Sequence, residues 1–425
     1  MGRYGWNYRQ SGAAADMTGG VLPDAEWRVA DGLKQVVAAL RDEHGGPRFV
    51  GGAVRDTLLG LAVSDVDLAT MLLPGAVIDR LELAQIKAVP TGLDHGTVTA
   101  VAGGKNYEIT TLRRDVATDG RRATVAFATD WREDAARRDF TINGLYADPM
   151  TGEIFDYFNG LADLKAGIVR FIGDADQRIS EDFLRILRYF RFLARYGHGI
   201  VDETAIRACA NGAHGLTALS RERIAQELTK ILALPDPVFA VALMVEHGIF
   251  TPFLPELSGD AAGCLTKLVE REKNLSQAAS LPARLLTLLP KDAGSVDRVA
   301  ARLKLSNKMR ERLAIRVSAE APDADNIRAL AYRDGKDSAR DAAMLYASDD
   351  DVAVCLARLD AWEIPSFPVK GGDLIAMGLN AGPVVAKTLQ GIEALWISKG
   401  FPDNGALAEI TAQSVAEALS ASRKA

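Results

Sequence analysis

The spacing of apolar residues changes once along this chain, and that change constrains the fold more than any other feature. Between Arg48 and Ala128 they fall in short β-prone runs: Arg48–Val50, Val63–Leu68, Thr97–Ala102, Tyr107–Leu112 and Thr124–Ala128. Glycine pairs, proline and charged turns separate the runs. Helical stretches lie between some of them, and apolar positions from Asp24 to about Leu40 recur at helical spacing. From about Ile179 onward the pattern is that of amphipathic helices, broken near Pro235–Pro237, Pro255, Pro282–Pro290 and Pro365–Pro368. The expectation is a compact α/β head followed by a long helical body.

At ~150 residues per domain, 425 residues correspond to roughly three domains. The boundaries expected are a loose polar arm at 1–23, a head at 24–150, a helical neck at 151–232, a helical body at 233–325 and a helical tail at 326–425. Fifty Lys+Arg against 56 Asp+Glu leave a net charge of −6, which argues against a wholesale basic wrapper of nucleic acid but leaves room for a local basic face. Cys209, Cys264 and Cys355 are odd in number and far apart, so neither a disulfide framework nor a CxxC metal knuckle is expected. The longest apolar run, Val238–Val245, is far short of the about 20 residues a bilayer span needs. Met1–Gly20 has no apolar signal-peptide core. These features set aside a membrane, secreted or disordered protein and favour a cytoplasmic enzyme.

Asp65-Val66-Asp67 lies in a strand-like run, where side chains two apart share a face. The two carboxylates are expected side by side with Val66 turned into the core, a donor pair suited to Mg²⁺ that also holds nucleotide phosphates. Upstream, Val50-Gly51-Gly52-Ala53-Val54-Arg55-Asp56 reads as a strand end, a glycine turn and a helix start, a place where backbone N–H groups and Arg55 can meet phosphate. Neither a GxxxxGK[ST] loop nor a GxGxxG turn occurs here. Glu108, in the later run Tyr107–Thr110, is a third acid, able to complete a metal cage or take a proton from an attacking hydroxyl.

Gly51–Thr70 (GGAVRDTLLGLAVSDVDLAT) resembles the first signature of the class II tRNA nucleotidyltransferase and bacterial poly(A) polymerase family, whose head is DNA-polymerase-β-like. Arg137–Asn143 (RRDFTIN) resembles its second signature, Glu181–Arg188 (EDFLRILR) its EDxxRxxR signature, and Leu219–Ile224 the helix-buttressing motif that follows. The four come in family order between Arg48 and Lys230, while residues beyond about Leu232 match only loosely. The resemblance implies an α+β fold, a head with a small mixed sheet and helices followed by an all-α neck, body and tail, with Asp65 and Asp67 as Mg²⁺ ligands and Glu108 as the third acid. It also implies Gly51, Gly52, Arg55, Arg138, Asp139, Asn143, Asp182, Arg185 and Arg188 as the nucleotide site. Gly144 stands where the family usually has Ala, and is expected to loosen a helix there by up to ~1 kcal/mol.

Asp182 and Arg185, three apart, would share one face of a helix. As a bare pair they are worth only ~0.3–0.5 kcal/mol. Their chemistry offers more. Cytosine and adenine both present an amino donor beside a ring-nitrogen acceptor, which a carboxylate and a guanidinium can read together. Guanine and uracil reverse the pattern, and such buried mismatches allow ~10⁴-fold rejection. The resemblance assigns this selection of CTP and ATP to Asp182 and Arg185. Pro90–Val98 lacks the Gly-Arg-Arg-Phe-Arg-like run of the poly(A) polymerases, and Arg113–Arg122 looks full length where CC-only enzymes have a shortened flexible loop. Addition of CCA to the tRNA 3′ end is therefore preferred over poly(A), CC-only or A-only activity. An RNA-binding protein that lost catalysis is the remaining alternative, against which the intact acids argue. All five histidines precede Gly, never Asp, so no appended HD-type hydrolase domain is expected.

Binding tRNA requires phosphate contacts. Arg298, Arg302, Lys304, Lys308, Arg310, Arg312 and Arg316 stand together against one acid, Glu311, and the first four with Arg312 are the candidate RNA contacts. Gly378–Pro383 reads as a helix start, with Pro near the first turn.

Overall fold

Nine strands are found among the described residues of the first part of the chain: β1 (Arg48–Val50), β2 (Asp67–Thr70), β3 (Lys87–Gly92), β4 (Thr97–Ala102), β5 (Lys105–Thr111), β6 (Arg113–Asp119), β7 (Arg122–Phe127), β8 (Leu145–Ala147) and β9 (Ile154–Asp156). This computed structural model describes residues 20–42, 45–119 and 122–424. Seven of the strands form one sheet in the order β3-β4-β5-β2-β1-β8-β9, and β6 and β7 form a separate hairpin. The sheet is mixed: β2 and β5 run parallel, whereas the other neighbours are antiparallel. Period-two alternation is plainest in β4, where Val98 and Ala100 are fully buried between half-exposed neighbours. Helices α1 (Asp31–Ala39), α2 (Gly52–Leu58), α3 (Pro74–Leu83), α4 (Trp131–Ala136) and α5 (Gly160–Ala166) accompany the sheet.

Five helices follow in the same compact unit, which ends at Pro255: α6 (Ala175–Glu181), α7 (Leu184–Tyr196), α8 (Glu203–Gly212), α9 (Arg221–Leu232) and α10 (Val238–Glu246). Helix α7 is the most strongly divided of them. Leu184, Ile186, Leu187, Tyr189, Phe190, Phe192, Leu193 and Tyr196 are buried, while Arg185, Arg188, Arg191 and Arg195 take the other positions. The second unit, from Glu256, is helical. It runs through α11 (Ala261–Asn274), α12 (Leu281–Thr287), α13 (Ala293–Arg302), α14 (Asn307–Val317), α15 (Ile327–Asp334), α16 (Lys336–Tyr346), α17 (Asp351–Asp360), α18 (Gly371–Ala376), α19 (Pro383–Ser398) and α20 (Asn404–Lys424). Pro383 opens α19 as expected of the Gly378–Pro383 run.

Several boundaries differ from the sequence reading, each for a visible reason. Gly20–Pro23, expected in the loose arm, is tied down: Leu22 is buried and its N–H donates to the Gly152 carbonyl at 2.7 Å, while the Ile154 N–H donates to Gly20 at 2.6 Å. The rest of the arm lies outside the described residues. The helix expected from Asp24 is broken at Ala30 (ψ 128°) into a 3₁₀ turn, Glu26–Val29, and α1; from the turn Trp27 meets Phe49 (4.7 Å between rings) and donates to Thr57 Oγ1 at 3.1 Å. A head ending at 150 would split β8 from β9, which pair across Leu145–Asp156. Helix α10 packs against α7, so the neck side extends past 232. A boundary between 325 and 326 would cut a single core in which Leu268 and Ala283 meet Ile327, Leu330 and Cys355; a second core gathers Leu374, Ile392, Trp396 and Leu407. Arg113–Arg122, expected as a flexible loop, is strand at both ends, although Gly120 and Arg121 lie outside the described residues.

Candidate active site

The turn after β1, the start of β2, the residues Arg138, Asp139 and Asn143, Asp182 at the end of α6, and the helices α2, α7 and α9 line a cleft of ≈450 Å³. Gly51 turns the chain from β1 into α2 with φ +65°, a left-handed conformation that favours glycine. A Cβ there would stand 3.4 Å from Arg138 Nη1. Gly51, Gly52 and Arg55 line the cleft. Arg55 is less free to meet phosphate than the sequence suggests. Its Nε donates to Asp56 at 2.8 Å, its Nη1 to Asn143 Oδ1, and its guanidinium lies 4.2 Å from the Tyr196 ring centre.

Asp67 lies in register with Glu108 on the parallel strand β5. It lines the cleft, while Asp65 and Glu108 flank it without lining it. Strand β2 starts at Asp67, not at Val63, so Asp65 precedes the strand and Val66 is half-buried instead of turned into the core. Solvent still reaches Asp67, but the surrounding protein desolvates its carboxylate and, with the charges of Glu108 and Asp65, pushes its pKa up to about 6 against the pull of Arg138. Among the described residues no group of three His, Cys, Asp or Glu side chains stands in ligating geometry. The donor chemistry nonetheless fits a divalent cation: hard oxygen ligands in excess of positive charge, held on neighbouring strands.

The opposite side of the cleft is rich in arginine, and its charges are paired. Asp139 accepts from both Nε and Nη2 of Arg188 at 2.7 and 2.5 Å and from Asn143 Nδ2 at 2.8 Å. Burial raises the pKa of Asp139, but Arg188, Asn143 and the Phe140 N–H outweigh it and hold the carboxyl below the usual range. Asn143 therefore links Arg55 on α2 to Asp139, and Asp139 to Arg188 on α7. Arg138 is held by Asp134 (3.3 Å) and by Tyr146 Oη (3.1 Å).

Asp182 and Arg185 both line the cleft but do not share one continuous helix, and their side chains pair with other residues. The chain leaves the helical path at Asp182 (φ −153°), whose Oδ1 accepts from the Leu184 N–H at 3.1 Å and whose Oδ2 accepts from Arg223 at 2.8 Å. Phe183 is drawn toward Gly215, where any Cβ would overlap its ring. Arg185 instead donates to Glu181 at 2.6 Å and to the Arg178 carbonyl at 2.6 Å. Gly144 closes a single 3₁₀ turn, Thr141–Asn143, so no helix exists there for it to loosen.

Every candidate nucleotide-binding residue named from the sequence lines this cleft, together with Asp67. Sequence reasoning missed Leu184, Phe192 and Arg223. Leu184 and Phe192 sit about one turn to either side of Arg188 on α7, and nothing in their apolar character singles them out for a polar cleft. Arg223 lies within the buttressing motif, whose reach to Asp182 no local pattern reveals. In the second unit the basic stretch is less uniform than its count suggests. Arg298, Lys304 and Lys308 are exposed and Arg312 is half-buried. Arg302 is engaged twice by Glu256 at 2.6 and 2.5 Å, and Arg316 is interior, bound to Asp341 at 2.5 Å. No described helix is long and apolar enough to cross a membrane.

A mixed sheet carrying carboxylates on adjacent strands, facing an arginine-lined nucleotide-sized cleft, defines a nucleotidyltransferase of the polymerase-head class. The family described as "Poly A polymerase head domain" matches residues 47–170, and "Probable RNA and SrmB- binding site of polymerase A" matches residues 201–260. The chain is 36% identical over 394 residues to the mouse mitochondrial CCA tRNA nucleotidyltransferase 1, covering 89% of each chain. It is 34% identical to the CCA-adding enzyme of Lactococcus lactis, covering 83% of this chain and 89% of that one. The crystal structure of the Bacillus stearothermophilus CCA-adding enzyme in complex with CTP superposes with a TM-score of 0.74 at 28% identity, covering 93% of this chain and all of the other. The chain belongs to the CCA tRNA nucleotidyltransferase family.

Proposed function

We propose that this protein adds CCA to the 3′ end of tRNA from CTP and ATP without a template, releasing pyrophosphate. The observation that carries the reading is the joining, in one cleft, of Asp67 with the Gly51–Gly52 turn, Arg138, Asp139, Asn143, Asp182, Arg185 and Arg188. Relatives that match across most of the chain carry the same activity in their names.

Asp65 and Asp67, with Glu108 alongside, are the residues to hold Mg²⁺, which when bound neutralises triphosphate charge and favours attack on the α-phosphate. Glu108 stands next to Asp67 where a carboxylate can take the proton of the attacking tRNA 3′-hydroxyl. Arg138 and Arg188 supply positive charge toward ribose and triphosphate, each oriented beforehand by its own carboxylate. Asp182 accepts from the amino group of cytosine or adenine while Arg185 donates to the ring nitrogen. Glu181 and Arg223 hold that pair in place. The exposed Arg298, Lys304 and Lys308 in the second unit are the surface for tRNA phosphates.

The test is to sequence the tails formed on tRNA lacking its 3′ end, with CTP and ATP supplied together and apart. CCA with both nucleotides and CC with CTP alone are expected; a run of A would assign a poly(A) polymerase instead.

A further inference from the structure

Asp134 is almost wholly buried (1% exposed) yet lies outside every signature noted above. It accepts four hydrogen bonds. Oδ1 takes the Arg137 Nε at 2.8 Å and the backbone N–H of Arg113 at 3.2 Å. Oδ2 takes the Tyr146 hydroxyl at 2.6 Å and Arg138 Nη2 at 3.3 Å. Tyr146, fully buried on β8, in turn accepts from Arg138 Nε at 3.1 Å. Two of the three nitrogens of the Arg138 guanidinium are thus fixed from behind, and the third, Nη1, is left against the Gly51 turn. A planar guanidinium held at two nitrogens has little rotational freedom.

The charges fit the geometry. Burial raises the pKa of Asp134, but the charges of Arg138 and Arg137 and the Tyr146 hydrogen bond outweigh it and keep it ionised. Burial likewise pushes the Tyr146 phenol well up, so it stays a neutral donor. Arg113 is the first residue of β6, where the β6–β7 hairpin leaves the sheet. One carboxylate therefore joins the root of that hairpin to an arginine of the nucleotide cleft.

We propose that Asp134 and Tyr146 are positioning residues that set Arg138 for the nucleotide and tie its placement to the root of the β6–β7 hairpin. The inference rests on the cleft being the site for CTP and ATP. Neither residue lines the cleft, so both act through Arg138.

Tyr146→Phe keeps the buried ring and removes only the bridging hydroxyl. With Mg²⁺ present, equilibrium binding of CTP and of ATP should weaken on the order of tenfold, the effect of losing one charge-assisted hydrogen bond. The two nucleotides should weaken alike, with KM for tRNA and the preference over UTP unchanged, while the loss of a buried hydroxyl that donates to Asp134 lowers the melting temperature modestly without unfolding the protein. Asp134→Asn should weaken both further; should it fail to fold, Tyr146→Phe decides alone. Wild-type affinity in folded Tyr146→Phe, or equal losses in nucleotide and tRNA KM, would overturn the proposal. A wild-type protein that binds CTP and ATP but leaves no CCA tail would instead overturn the proposed reaction, while the binding comparison still judges the role of Tyr146. Failure of the wild type to bind either nucleotide would overturn both.

Discussion

The two sides of the cleft satisfy their charges in opposite ways. On the strand side, Asp67 sits beside Glu108 with Arg138 as the cation that offsets them, and its pKa is raised to about 6. On the helical side, Asp139, Asp182 and Glu181 each hold an arginine within 2.8 Å. The first arrangement is costly until positive charge arrives from outside. The second is complete before any ligand binds. A site that both carries out phosphoryl chemistry and discriminates bases needs both: an under-neutralised side that takes up cation, and a pre-organised side whose donors and acceptors do not rearrange.

The contrast can be broken most severely at Asp67. Asp67→Asn should lower CTP incorporation by more than about a thousandfold if Asp67 holds the metal as proposed. The same change should stabilise the protein at neutral pH. The folded pKa lies above the unfolded value, so stability falls as pH rises from 3.8 through about 6, and the full cost is present above that window. Because Asp67 is solvent-accessible the gain is on the order of 1 kcal/mol after screening, or about 2–4 °C in melting temperature. An inactive variant that is also less stable would contradict the strand-side half of the comparison.

Arg188→Ala should act in the reverse sense, lowering stability by about 2–3 kcal/mol because it leaves the Asp139 carboxylate buried without its cation. Asp139 has its pKa lowered in the fold, so the stability it contributes is present above the ordinary carboxylate value and lost as pH falls through the depressed one. Acid unfolding of Arg188→Ala, followed by circular dichroism, should therefore begin at higher pH than in the wild type. An unshifted acid transition would show that Arg188 does not carry the pairing. The smallest effect is expected in the second unit. Reversing the charge of Lys304 and Lys308 should raise KM for tRNA severalfold and flatten its salt dependence, leaving KM for CTP intact. An unaltered KM and salt slope would remove this stretch from the RNA path.

Residues that act through the backbone next to them were legible in the sequence. The glycine turn announces itself by residue type and spacing, the run Arg137–Asn143 by its resemblance to the family's second signature, and all of the nucleotide candidates meet in one cleft. What stayed hidden depended on contacts across many residues. The break at Asp182 follows from Phe183 packing at Gly215, and its carboxylate is held by Arg223, 41 positions away. A local i,i+3 argument could only place Asp182 and Arg185 on one helical face. Likewise, the basic count in 298–316 gave no sign that Arg302 is met by Glu256 and Arg316 is interior, because their partners lie elsewhere in the chain. Strands β8 and β9 were missed because at three residues each they show no period and, unlike the equally short β1, have no glycine pair at their end to mark them; β3 was missed because Pro90 reads as a breaker.

The central claim is that one side of the cleft performs the transfer and the other chooses the base. It is tested most directly by sequencing the tails that wild type, Asp67→Asn and Asp182→Ala add to tRNA lacking its 3′ end, with all four nucleoside triphosphates present. The account predicts CCA from the wild type, no tails from Asp67→Asn, and tails containing U and G from Asp182→Ala. Tails from Asp67→Asn at the wild-type rate, or faultless CCA from Asp182→Ala, would contradict it.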